Sequence, residues 1–201
     1  MAKETLRGEG FYDIEAYRNS LFLIDKWLEV LSSLYFPTRM TVVDNQFGDY
    51  SIYSSKDLIK AIRDEGQNPY ISLFREHVLP SILADRPDLV GVSITATSQI
   101  IPGLTLCRLI KEHAPELHVT VGGSIFTRLV DNLRRCPWLF DLVDDFVVFE
   151  GETALLELVN QMDGKRDFSK VPNLIYRQNG KITVNQPFYS CLLYTSDAAD
   201  E

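Results

Sequence analysis

Three short stretches of this chain collect the groups that could hold or transform a ligand. The first closes the run DLVGVSITATSQIIPG and carries four hydroxyls and an amide, on Ser93, Thr95, Thr97, Ser98 and Gln99. The second is Gly122-Gly123-Ser124 and the third is Glu150-Gly151-Glu152. Hydroxyls and amides hydrogen-bond a polar ligand, and paired glycines let backbone approach a bulky planar group or a phosphate. Each stretch also has a plainer reading. Ser98 or Gln99 can cap a helix that Pro102 begins, Ser124 can cap the next, and Glu152 suits the positive end of a helix dipole. The glycine pair alone reads first as a tight strand-to-helix turn. One cap does not require four hydroxyls, and a glycine at 151 directly after a strand implies close approach by something other than a cap. The surplus favours a ligand.

Each stretch follows a short apolar run, and the elements around them alternate. Strands are expected at 89–94, 118–121 and 146–149, with helices at 102–113, 125–135 and 152–162. Strands alternating with helices predict a parallel, doubly wound sheet, and apolar runs without period-two alternation fit strands covered on both faces. In such a sheet ligands sit outside the carboxyl ends of the strands, so all three polar stretches fall at one edge. Upstream, Leu21, Ile24, Leu28 and Leu31, with Leu23, Trp27, Val30 and Leu34 beside them, recur at helical spacing over a broad face, which predicts a largely buried helix over 21–34. A strand at 40–43 and helices at 56–65 and 71–84 complete the first part. Near the end, NLIYRQNGKITVN reads as two strands about Asn179-Gly180, the dipeptide suited to a two-residue hairpin turn. The hairpin breaks the alternation and reads as a domain exit.

Composition narrows the function. The chain has 201 residues, 45% hydrophobic and 24% charged, enough for one full core. A formal charge of −8 with scattered basic residues argues against a nucleic-acid partner, whose phosphates require clustered Lys and Arg. No apolar run approaches the roughly 20 residues of a membrane span, and MAKETLRGEG is no signal peptide, so no membrane partner and a cytoplasmic address are expected. Cys107, Cys136 and Cys191 are too few and too scattered for a disulfide framework or a zinc or iron-sulfur signature, and read as small buried hydrophobes.

The ordered set PDLVGVSI, VGGS, FEGE and VPNLIYRQNGKI, with Gln99-x-x-Pro102-Gly103 at a helix start, resembles the cobalamin-binding domain of cobalamin-dependent radical SAM enzymes over about residues 38–189. The resemblance implies a flavodoxin-like, Rossmann-type α/β domain with a C-terminal hairpin. It also implies cobalamin as cofactor and partner. By that likeness Ser93, Thr95, Gly122 and Gly123 lie along the nucleotide tail, with Gln99, Glu150 and Gly151 nearer the corrin. A valine at Gly123 is then expected to block binding in a protein that still folds, and an alanine at Ser93 to weaken it by about 0.5–1.5 kcal/mol. Two features depart from the pattern. The Asp-x-His-x-x-Gly loop that ligates cobalt in methionine synthase and related mutases is absent, and His77, His113 and His118 lie outside any such pattern, so no protein metal ligand is expected. No first strand is visible before Leu21, so part of the amino-terminal region is expected to be missing.

The expected organisation is a helical segment at 1–37, the cobalamin-binding domain at 38–170, a hairpin linker at 171–189 toward a missing radical SAM domain, and a foreign tail at 191–201. CLLYTSDAADE, from Cys191 to Glu201, resembles a translated sequencing adaptor over all eleven residues. The resemblance implies a parent radical SAM enzyme of the peptide-modification or methyl-transfer type. No Cys-x-x-x-Cys-x-x-Cys motif occurs, so the iron-sulfur cluster and S-adenosylmethionine belong to the full-length protein, and the chain alone is expected to be inactive. Three other readings compete. A response-regulator receiver needs an acidic pair, a phosphorylatable Asp and a Lys where this chain has hydroxyls or Glu150. A stand-alone corrinoid or flavin carrier uses similar hydroxyl loops. A partner-binding module has every polar loop as a cap.

Overall fold

Apolar runs bounded by turn signals become the strands of a five-stranded mixed sheet in the second of the two units into which the chain divides, Met1–Leu73 and Phe74–Glu201. The structure is a computed structural model that describes residues 2–164 and 166–189. The tail at 191–201 lies outside the described residues.

In the first unit, α1 (Ile14–Leu34) starts at Asp13, whose carboxylate accepts from the Glu15 and Ala16 amides at 2.9 and 3.2 Å. Among its residues only Ser20 is buried, while Phe22, Leu23, Trp27, Val30 and Leu34 are exposed. This corrects the expectation of a largely buried helix. Periodicity reports an apolar face but not what that face meets. The strand expected at 40–43 shrinks to β1 (Arg39–Met40), paired antiparallel with β2 (Asn45–Gln46). Thr41 ends it by accepting the Val43 and Asp44 amides on its own hydroxyl, at 3.3 and 2.9 Å, a local bond that competes with strand pairing. Ser54 caps α2 (Ser55–Ala61). The helix expected over 71–84 is interrupted where the second unit begins by a π turn, Phe74–Val78, before α3 (Leu79–Ala84) of that unit. Pro80, lacking an N–H, cannot continue an uninterrupted α ladder.

In the second unit β3 (Leu89–Ser93), β4 (His118–Gly122) and β5 (Asp145–Val147) run parallel. β6 (Leu174–Gln178) and β7 (Lys181–Val184) follow antiparallel, in the order β3-β4-β5-β6-β7. The hairpin therefore extends the sheet rather than leaving the domain. Its turn has the expected geometry, with φ of 51° at Asn179 and 76° at Gly180. Side chains alternate across the pleat. One face carries Val92, Val121 and Phe146 and is covered by α4 (Ile100–His113) and α5 (Ser124–Arg128). There Phe126 and Phe140 lie 4.9 and 5.3 Å from the Phe146 ring. The other face carries Gly91, Thr120, Gly122, Asp145 and Val147. Ala154 and Leu158 of α6 (Glu152–Asp163) pack there with Val147, Leu174 and Tyr176. The helix expected over 125–135 breaks at Leu129 into α5 and a single turn, Val130–Leu133.

The first unit contains a bond with a measurable pH signature. The Tyr50 hydroxyl donates to Asp64 at 2.5 Å, and that bond, with burial and neighbouring carboxylates, pushes the Tyr50 phenol up to about 12 from 10.0. A phenol whose folded pKa is raised stabilises fully below its unfolded value, and that stability is lost as pH rises from about 10 toward 12. Thermal melts of Tyr50→Phe should therefore show a lower midpoint at pH 8 and a shallower alkaline decline. Equal slopes in the two proteins would show that the bond does not persist in solution.

Candidate functional site

The carboxyl ends of β3, β4 and β5 are tied into one edge. After β3 the Ile94 amide donates to the Gly122 carbonyl at 2.8 Å, and the Ser124 hydroxyl donates to the Thr95 carbonyl at 3.1 Å. The loops after β3 and β4 are thus directly bonded. Gly123 sits between them at φ 109°, and a Cβ there would collide with the Ile94 backbone. The third loop is held from two sides. The Phe149 amide donates to Thr127 Oγ1 at 2.8 Å, and Asn173 Nδ2 donates to the Glu150 carbonyl at 2.8 Å. Phe149 itself has φ 61° and meets the Tyr189 ring edge-on at 5.3 Å.

Behind this edge, on the Gly91 face of the sheet, lies a cavity of about 410 Å³, in the range of small-molecule sites. Its floor is Gly91, Thr120 and Gly122, and its walls include Val147, Phe149 and Leu155. Ser93 and Glu152 stand at its rim. The floor is flat because two of its three positions have no side chain. A Cβ built at Gly91 meets nothing nearer than the Thr120 methyl at 3.8 Å, so the space above it is open. Thr120 is 3% exposed, and its hydroxyl is buried with no hydrogen-bond partner. A flat, largely apolar slot suits a planar ring.

Of the residues singled out in the sequence, Ser93, Gly122, Gly123 and Gly151 line this cavity. Thr95, Gln99 and Glu150 belong to the flanking loops and do not line it. Gln99 Oε1 accepts from the Thr95 amide, the Thr95 hydroxyl and the Ala96 amide at 2.8, 3.1 and 3.1 Å, so both side chains close their own loop. Gly91, Thr120, Val147, Phe149 and Leu155 were not anticipated. Two of them left a signal. A glycine inside an apolar strand marks close approach by a ligand or backbone, and Thr120 is the polar residue between Val119 and Val121.

Next to Thr120 in register stands Asp145, 1% exposed, with Oδ2 bonded to His118 Nε2 at 2.6 Å. That bond occupies one His118 nitrogen, and His113 Nδ1 lies 2.9 Å from the Leu109 carbonyl. Burial pushes the Cys107 thiol up to about 12, away from the thiolate a metal requires. Among the described residues no cluster of His, Cys, Asp and Glu could hold a metal ion. A second cavity of about 360 Å³ opens at the amino-terminal end of the strands, where Arg86, Asp88, Glu116, His118 and Arg166 mix both signs of charge. It lacks the glycine floor.

A mixed α/β sheet with a glycine-floored cavity at the carboxyl edge is the architecture of a nucleotide- or cofactor-binding domain. Residues 43–159 match the B12 binding domain, and the chain belongs to that family. It is also 31% identical over 102 residues to an uncharacterized methyltransferase, PH0819, of Pyrococcus horikoshii. That match covers 50% of this chain and 21% of the relative, so the chain spans about a fifth of that protein's length. No helix among the described residues is long and apolar enough to cross a membrane.

The glycine geometry corrects the expectation that Gly123→Val folds. A side chain at this φ meets backbone rather than ligand, and the variant should lose more than about 3 kcal/mol. Gly91→Leu is the variant that puts a side chain into the cavity, its Cβ meeting no atom closer than 3.8 Å. In thermal melts followed by circular dichroism, Gly91→Leu should retain a cooperative transition and Gly123→Val should not. The reverse order would refute this assignment of the two glycines.

Proposed function

We propose that this chain is the cobalamin-binding portion of a larger methyl-transferring enzyme of the radical SAM type. The observation that carries the reading is the glycine-floored cavity at the sheet edge of a chain that belongs to the B12 binding family. Gly91 and Gly122 give a flat surface for a planar ring, Val147 and Leu155 cover it, and Ser93 hydrogen-bonds at the mouth. The cavity is of a size for a nucleotide base and part of its linker, and a corrin macrocycle exceeds it. The loops that carry Thr95, Gln99, Glu150 and Gly151 would hold the macrocycle at this edge. A bound corrinoid supplies a cobalt–carbon bond from which a methyl group can leave.

The chain's own part is to bind, orient and shield. No imidazole of this chain serves as cobalt ligand in this reading. The Asp-x-His-x-x-Gly loop is absent, and His118 is engaged with Asp145 toward the amino-terminal end of the strands. The iron-sulfur cluster and S-adenosylmethionine belong to a catalytic domain outside this sequence. The small share of the methyltransferase relative that the chain spans, and the buried state of Cys107, support that division.

Anaerobic mixing of the purified chain with hydroxocobalamin, followed by desalting and an absorption spectrum, tests the reading. The chain should retain corrin, Gly91→Leu should lose at least tenfold in affinity, and His118→Ala should leave the spectrum of the bound corrin unchanged. Retention of flavin instead, or of no corrin at high micromolar concentration, contradicts it.

A further inference from the structure

Helix α1 has two apolar faces, and the first unit uses one. Ile24, Leu28 and Ser32 are half-buried, and the Ser32 hydroxyl accepts from the Met40 amide of β1 at 2.8 Å. The second face stays in water. Trp27 is 74% exposed and Leu34 72%, with Leu23 and Val30 exposed in line with them. These four stand at intervals of four, three and four residues, the alternation of a coiled-coil seam rather than of scattered surface residues. With Leu31 beside them they hold roughly 500 Å² of apolar surface in water, taking about 250 Å² for a whole indole and less for the aliphatic side chains. A standard protein interface covers about 800 Å² per partner, a little over half of it non-polar, so the seam supplies what a stable pair needs.

The charges on the helix narrow the choice of partner. Arg18 and Lys26 stand against Glu15, Asp25 and Glu29, and Lys26 is already paired with Glu29 at 2.8 Å. A lipid surface recruits a helix whose polar face is rich in Lys and Arg. This helix is net acidic, on a chain of charge −8, so the face suits protein. We propose that its occupant is the same face of a second copy, the two α1 helices packing antiparallel about a twofold axis between Trp27 and Val30. Residues at equal distance on opposite sides of that axis meet. Leu23 then faces the partner's Leu34, and Trp27 faces the partner's Val30, so each indole packs against a small side chain. Parallel helices would instead crowd both indoles into one layer. A twofold contact uses the seam on both copies and closes, leaving no apolar edge for further growth.

Sedimentation velocity of the full chain over a dilution series reads the pairing. At high micromolar concentration the chain should run as a dimer, and it should dissociate on dilution. Trp27→Lys and Val30→Glu should each weaken association more than about tenfold, as a central tryptophan anchor implies, with circular dichroism spectra like that of wild type. An equimolar mixture of the two variants should associate again, because each introduced charge then faces its opposite across the axis. Tyr53→Lys, at a residue 90% exposed and off the seam, should dimerise like wild type. A wild-type chain that stays monomeric throughout the series overturns the proposal, and its co-sedimentation with anionic vesicles would put a lipid surface in place of the second copy. Undiminished association of Trp27→Lys overturns it as well, as does a mixture that stays monomeric or an equal loss in Tyr53→Lys.

Discussion

The close approach of Gly123 to the Ile94 backbone is the constraint on which the site depends. No side chain fits between them, so the turn after β4 can lie directly against the end of β3. That contact brings Ile94 N–H to the Gly122 carbonyl and Ser124 to the Thr95 carbonyl, and two loops become one wall. Without it the parallel pairing of Ser93 with Gly122 would fray at the edge where the cavity begins. The glycine pair thus divides its labour. Gly123 is required by the protein's own backbone, while Gly122 leaves the cavity floor flat.

A second consequence concerns how the third loop is held. Asn173, 1% exposed and at φ 59°, bonds the Glu150 carbonyl and also both the carbonyl and the amide of Phe188, at 2.8 and 2.7 Å. The loop bordering the cavity and the segment leaving the hairpin therefore share one side chain. Phe149 and Tyr189 repeat the link through their rings. A rigid scaffold of this kind places ligand-facing loops at low conformational cost, because few rotamers remain to be ordered on binding.

Much of this was legible in the sequence, for identifiable reasons. Strands β3, β4 and β5 were visible because apolar runs ended at turn signals, and the hairpin was visible because Asn-Gly admits positive φ at both positions. The carboxyl-edge rule then directed attention to the end of the sheet where this cavity lies. It directed it too narrowly to loops. The cavity lies on the face of the sheet behind the edge, and its floor comes from within the strands, at Gly91 and Thr120. Polar residues such as Thr95 and Gln99 looked like ligand contacts, but they satisfy one another, which no spacing rule reveals. The burial expected of α1 failed because an apolar stripe does not say what meets it, and the strand at 40–43 failed because the Thr41 hydroxyl bonds its own backbone.

Whether cobalamin binds at the glycine-floored face at the carboxyl edge is read directly by nuclear magnetic resonance. Titrating isotopically labelled chain with cobalamin under conditions that keep cobalt diamagnetic should shift the amide signals of Gly91, Thr120, Gly122, Gly123 and Gly151 together. Signals around Arg86, Glu116 and Phe168, at the opposite end of the strands, should stay in place. Shifts confined to that opposite end, or spread evenly over the sheet, would contradict the account.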